Sequence, residues 1–230
     1  MWFGSLKNNS SKPLEFDCPK DPIKFFGKHL SYDQSENNNK NFFIKIKKME
    51  TKLNLWLSRD LTLFGRTLLV KSLGLSLLIY SSSMLLVPES VIQQTQTKLF
   101  SFLWKHKKDK IKRQVLFQPL SKGGLNFPCF RTAVKALRLG WIGRFLDLTK
   151  ETWKVILNHY FDKIGGLSFI LNCNYSAKKL SCSIPTFYRE MLTFFQELHN
   201  DSKDPMQRDF ILCNNKEITI ENKSFFGDRG

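Results

Sequence analysis

The stretch GRTLLVKSLGLSLLIYSSSMLLVPES, residues 65–90, carries no charge between Lys71 and Glu89. Its uncharged interval, residues 72–88, is 17 residues long. That is the lower edge of what crosses roughly 30 Å of hydrocarbon. It holds Ser72, Ser76, Ser81, Ser82, Ser83 and Gly74, all poor lipid-facing choices, and no aromatic belt flanks it. The pattern predicts a core helix over 65–87, covered on most sides by other helices and stopped by Pro88, with no membrane partner.

Neighbouring segments supply helices to cover it. Phe42, Ile46, Met49, Leu53 and Trp56 recur at spacings of 4, 3, 4 and 3, one face of a helix. Lys45, Lys47, Lys48 and Lys52 sit opposite and read as a solvated face. SRDLTLFGR breaks that stripe as a connector. PESVIQQTQTKLFSFLWK opens a third helix, with Pro and Glu in its first turn, where both are favourable. Its apolar positions are Ile92, Leu99, Phe102 and Leu103. RQVLFQPL reads as a strand and SKGGLNFP as a tight turn. RTAVKALRLGWIGRFLD, KETWKVILNHYF and PTFYREMLTFFQELH read as three further helices, and the tail NNKEITIENKSFFGDRG as holding a short strand. Before all of these, MWFGSL and IKFFGKHLSY read as two short strands around a loop rich in proline. Residues 33–41, DQSENNNKN, read as a polar linker able to cap the first helix.

The formal net charge of +16 bears on partners, not on fold. Residues 98–144 hold twelve basic residues and one acid, Asp109, so +11 of the +16 is concentrated there and one face is expected to carry the field. Six bases, Lys105, Lys107, Lys108, Lys110, Lys112 and Arg113, crowd into nine residues. Such a run gains affinity for a phosphate backbone by releasing counterions, without reading sequence; the alternative is a solvated loop. Trp56, Trp104, Trp141 and Trp153 lie in helical stripes and read as core.

Five cysteines at scattered spacings form no CxxC pair, so a zinc knuckle is not expected. His29, His106, His159 and His199 stand apart from one another and from the cysteines. No metal, cofactor or catalytic residue is expected. The start, MWFGSLKNNSSK, lacks the pattern of a signal peptide. We expect an intracellular protein, nuclear or cytoplasmic.

Several motifs in order carry a family resemblance. IKFFGKHLSYD is followed by LNLWLSRDLTLFGRTLLVKSLGLSLLIY, then FLWKHKKDKIKRQVLFQPLSKGGLNFP, then ALRLGWIGRFLD and TWK. This series, over about residues 20–165, resembles the downstream part of the reverse transcriptase of non-LTR (LINE-type) retrotransposons. The family's run of Trp, Arg, Leu-Ser/Thr-Leu, Gly-Arg and Lys-Ser matches Trp56, Arg59, Leu61-Thr62-Leu63, Gly65-Arg66 and Lys71-Ser72. Its Phe-Ile/Leu-Trp matches Phe102-Leu103-Trp104, and its Gly-Gly-Leu matches Gly123-Gly124-Leu125.

The resemblance implies the end of a polymerase palm over residues 1–39, a thumb-like helical bundle over 40–105 and a basic connector over 106–230. It makes Arg59, Arg66 and Lys71 candidate contacts to an RNA–DNA duplex. A pairing of Arg59 or Arg66 with Asp60, or a helix-capping role, stays open beside that. The family draws part of its metal-binding carboxylate set from an Asp-Asp box, and this chain has no Asp-Asp dipeptide. Polymerase activity is therefore not expected from the chain alone. The expected fold is mainly α: an N-terminal β-hairpin remnant, the thumb-like bundle, then a helical connector with a short strand pair. The expected function is non-catalytic binding of RNA or DNA by backbone charge, with self-association through exposed apolar surface. The alternative is a helical protein-interaction module with no nucleic-acid role.

Overall fold

The computed structural model describes residues 23–31, 33–147, 149, 151–163, 165–172, 177 and 184–201, with a backbone pair at 219–220 and 223–224. These divide into two compact units, residues 1–133 and 134–230. The chain is mainly helical, with an N-terminal strand pair.

The first unit opens on a two-stranded antiparallel hairpin, β1 (Ile23–Phe25) and β2 (Lys28–Leu30), in which Lys24 pairs with His29 and Phe25 with Lys28. Phe26 and Gly27 form the two-residue turn, both at positive φ. The two strands thus lie within IKFFGKHL itself. The expected strand in MWFGSL lies outside the described residues.

Residues 34–41 are helical and not a linker, and Asp33 supplies the expected cap. Asp33 caps α1 (Gln34–Asn38) by accepting from the Ser35 amide. The chain continues through a π segment, Asn39–Phe43, into α2 (Ile44–Asn54). Two asparagines of this run hold the hairpin. Asn41 accepts from the His29 amide at 3.0 Å and donates to its carbonyl at 2.7 Å. Asn37 does the same for Ser31, at 2.6 and 2.7 Å. Each side-chain amide carries a donor and an acceptor, so it can satisfy a backbone N–H and C=O together, as a neighbouring strand would.

The apolar segment forms α3 (Leu63–Leu69), a π segment (Val70–Leu75) and α4 (Ser76–Met84). Thr62 caps its start through the Gly65 amide. After an extended link, Pro88 precedes α5 (Glu89–Leu103). Phe42, Ile46, Met49 and Leu53 of the first run are buried, together with Val70, Leu75 and Leu78 of the second and Val91, Ile92, Leu99, Phe100, Phe102 and Leu103 of α5. Gly74 sits where three helices converge. A Cβ there would lie 3.3 Å from Leu99 Cδ2, closer than side chains ordinarily pack, and in ordinary contact with Leu53 Cδ1 at 3.5 Å.

The expectation that neighbouring helices cover this segment on most sides is wrong. Only 28% of its most apolar window is buried. A three-helix bundle covers one face of each member, and the other face leaves Phe64 59% and Leu68 66% exposed. Leu63–Met84 is, among the described residues, the one helix long and apolar enough to cross a membrane by length and composition.

Residues 113–117 are a helical turn, α6 (Arg113–Phe117), rather than the expected strand. The segment still pairs backward: the Leu116 carbonyl accepts from the Leu125 and Phe127 amides, and the Gln118 carbonyl from Asn126. The glycines between close this loop. Gly123 takes the left-handed conformation, and a Cβ on Gly124 would fall 2.0 Å from the Gln118 carbonyl oxygen. Phe127 then stacks near Phe100 at 4.8 Å between ring centres.

α7 (Phe130–Leu146) runs from the first unit into the second. The second unit also contains α8 (Thr152–Asp162), α9 (Leu167–Asn172) and α10 (Thr186–Asp201). Its core gathers Ile142, Leu157, Phe161, Leu167, Met191 and Leu192. Trp141 meets Trp153 and Phe187 edge-on at 5.5 and 5.7 Å, a favoured aromatic geometry. A two-residue antiparallel pair, β3 (Thr219–Ile220) and β4 (Lys223–Ser224), lies in the tail.

Candidate nucleic-acid interface

The basic residues of the first unit fall into two groups: those bonded within the fold and those left in solvent. Arg66 belongs to the first. Its guanidinium donates to the Leu103 carbonyl at 2.7 Å and to the Leu61 carbonyl at 2.8 Å. Leu103 is the last residue of α5, where carbonyls lack helical partners, so Arg66 caps that helix and ties the 55–62 connector to it. Of the alternatives for Arg66, capping is the one the fold uses. Asp60 pairs with neither Arg59 nor Arg66; it lies 3.5 Å from Lys105. Arg59 is exposed and lies over the Trp56 ring at 4.3 Å. Lys71 is exposed within the π segment.

After α5 the backbone turns sharply. Lys105 and His106 both take positive φ, at 51° and 61°. Side chains rarely adopt that conformation, and two in succession need a tether. The His106 amide donates to the Ser101 carbonyl at 2.7 Å, and its Nδ1 meets Ser101 Oγ at 2.7 Å. The turn projects Lys107, Lys108, Lys110 and Lys112, all exposed, and none forms an ion pair among the described residues. Asp109, the acid of the run, is taken by Arg113 at 2.7 Å. Arg113 also covers the Phe100 ring at 4.4 Å. Of the six bases in the run, Lys105 and Arg113 are thus engaged and four lysines remain.

Several bases of the 98–144 stretch are drawn into ion pairs within the fold. Lys98 pairs with Glu50 at 2.7 Å. Arg131 makes a two-pronged pair with Glu89, which lowers the glutamate pKa and raises that of the arginine. In the second unit Lys135 meets Glu197 and Arg138 meets Glu190, both at 2.7 Å. Arg138 has 0% of its side chain exposed and stacks on Phe187 at 4.0 Å. Trp104 is buried, as expected of a core residue, and Trp141 and Trp153 pack against the second core.

One group lay beyond sequence reasoning. Lys45 is not part of a solvated face: its ammonium and that of Lys28 both donate to Ser81 Oγ. Lys28 also lies 3.7 Å above the Tyr80 ring, whose hydroxyl donates to the Phe26 carbonyl. Burial, then the Lys45 charge, brings the Lys28 pKa down to about 8. Burial and Lys48 lower that of Lys45. The signal was invisible because Ser81 stands 53 and 36 residues from its partners.

No family model matches the chain. It is 27% identical over 205 residues to the Transposon TX1 uncharacterized 149 kDa protein of Xenopus laevis, which covers 82% of this chain and 15% of that protein. It is 25% identical over 131 residues to a putative ribonuclease H protein of Arabidopsis thaliana, covering 54% of this chain and 21% of that protein. The chain thus spans about a fifth or less of the curated relatives it matches. Both are consistent with the non-LTR retrotransposon resemblance carried by the motifs, and with a retrotransposon-derived chain.

Proposed function

We propose that the chain binds the phosphate backbone of RNA or DNA, without reading sequence and without catalysing a reaction, as one part of a retrotransposon reverse transcriptase. The observation that carries this reading is the loop of four exposed lysines after α5, which no carboxylate among the described residues neutralises. Lys47, Lys48 and Lys52 of α2 are exposed as well, but the loop gathers four such lysines within residues 107–112, where they are free to replace counterions on a polyanion. Arg59 and Lys71, both exposed, are further contacts in the same reading, and Arg66 supports the frame that holds them. The resemblance supports an RNA–DNA duplex as the partner. The lack of an Asp-Asp pair in the sequence supports a binding role rather than a polymerase one.

The test is binding of the purified chain to a fluorescent RNA–DNA duplex of random sequence between 50 and 200 mM salt. Affinity should fall linearly on a logarithmic salt scale, with a slope set by about four or more displaced counterions. Association that persists or strengthens with salt would favour protein contact through the exposed apolar face around Phe64 and Leu68. Nucleotide incorporation in a magnesium primer-extension assay would overturn the non-catalytic reading.

A further inference from the structure

We propose that Lys28, Lys45 and the Ser81 hydroxyl form a binding site for a phosphate group. The site lies apart from the lysine loop and does not require it.

The geometry is unusual for two cations. Lys28 Nζ donates to Ser81 Oγ at 2.9 Å and Lys45 Nζ to the same oxygen, so the two ammonium groups flank one atom. Lys28 is 5% exposed and Ser81 is fully buried. Like charges held together and withdrawn from water are costly unless a counter-charge joins them. The fold supplies none: neither lysine forms an ion pair with a carboxylate among the described residues. Glu36, the acid near this end of the hairpin, is engaged by Lys40 at 3.0 Å and by the Ser31 hydroxyl. Burial, then the charges of Lys40, Lys24 and Lys45, lower the pKa of neighbouring His29, and Glu36 opposes them.

The unsatisfied hydrogens point to an oxyanion. Ser81 Oγ, itself buried, spends both its acceptor positions on the lysines and so holds the two ammonium groups side by side. Each ammonium keeps donors beyond the one given to Ser81. A tetrahedral dianion or a phosphodiester presents several charged acceptor oxygens, so separate ammonium groups can each donate to a different oxygen, whereas a halide offers one atom. Lys45 is only half-buried and Tyr80 is exposed, so solvent reaches the group from that side. A free phosphate and a nucleic-acid backbone phosphate share this chemistry.

Two arms on the full chain separate the sources. In the first, melting is followed in inorganic phosphate against chloride at matched ionic strength. Phosphate should raise Tm by about 3–5 °C at ten times its Kd. Lys28→Met and Lys45→Gln should each abolish that rise, and Lys45→Gln carries the test should Lys28→Met fail to fold. In the second arm, K28M/K45Q should bind the RNA–DNA duplex about tenfold more weakly, with a salt slope lower by about two, if the phosphate belongs to a backbone. Unchanged duplex binding beside a lost phosphate response assigns the site to free phosphate. Equal melting in phosphate and chloride, with duplex binding by K28M/K45Q equal to that of the unaltered chain, overturns the site. So does a phosphate response that survives both substitutions. A parent chain that does not bind duplex at all sinks the proposed function and leaves the phosphate arm to judge this site by itself.

Discussion

Four lysines between residues 107 and 112 and four bases on α5 and α7 come from one basic stretch of sequence, yet they meet different surroundings. Lys98, Arg131, Lys135 and Arg138 each reach a carboxylate on another helix. Lys107, Lys108, Lys110 and Lys112 reach none among the described residues. Helices explain the difference. A helical side chain leaves its axis in a fixed direction, so an acid on the adjoining helix can be placed against it. The loop has a single acid, and Arg113 occupies it. Composition therefore overstates the charge available to a partner: a base set against an acid on the adjoining helix serves mainly the fold, whereas one with no acid in reach, as on this protruding turn, keeps its field. Ranked by expected cost to the fold, substitutions in the two groups break or sharpen this contrast.

Arg138→Met should cost the most. Arg138 is wholly buried while Glu190 is 26% exposed, so the loss should approach the lower end of the roughly 3–5 kcal/mol typical of removing one partner of a buried pair. The aliphatic chain of methionine recovers part of the packing on Phe187. Denaturant unfolding followed through the second unit's tryptophans measures the loss. A cost below about 1 kcal/mol would mean that Arg138, too, is dispensable to the fold. Arg66→Ala should come next, at about 2 kcal/mol, because two carbonyls lose a charged donor. Urea unfolding followed by helical circular dichroism should report it.

The pH dependence around Lys28 ranks below these. Its pKa in the fold, about 8, lies under the ordinary 10.5, so the unfolded chain holds that proton more tightly. The penalty is complete below about pH 8 and is relieved as pH rises toward 10.5. Stability of the unaltered chain relative to Lys28→Met should therefore climb from pH 8 to 10. Taking the difference between the two proteins removes opposing groups such as Tyr188, whose pKa burial raises. A flat difference in melting temperature across that range would show that Lys28 keeps its full solvation.

Sequence pattern located the main helices because their buried faces repeat over several turns. Phe42, Ile46, Met49 and Leu53 are such a face, and all four are buried. The motif resemblance pointed to the transposon relatives for a related reason: its residues keep an order along the chain. What escaped was set by single contacts between distant positions. Asn37 and Asn41 look like linker residues until β2 lies beside them. Arg113–Phe117 is one turn long, too short for either periodicity to declare itself, and its neighbours' return pairing mimics a strand. Arg66 was legible as a motif residue but not as a cap, since Leu103 is 37 residues away. The free loop was partly legible: the run was plain, but only three-dimensional pairing separates Lys105 and Arg113 from the four lysines between them.

Those four lysines give the smallest effect on the fold and the sharpest test of the contrast. Replacing Lys107, Lys108, Lys110 and Lys112 together with glutamine removes no ion pair and uncovers no core, so stability should stay within about 0.5 kcal/mol. If the loop carries backbone contacts, the same variant should lose duplex affinity and its logarithmic salt slope should drop by about three to four, one for each phosphate contact forfeited. Lys98→Gln and Lys135→Gln should leave that slope where it was, because each lysine already neutralises a glutamate. Fluorescence anisotropy at three salt concentrations measures all of these. An equal drop in slope for the helix pair and the loop would show that ion pairing inside the fold does not withhold a lysine from a polyanion, and the division drawn between the two groups would be lost.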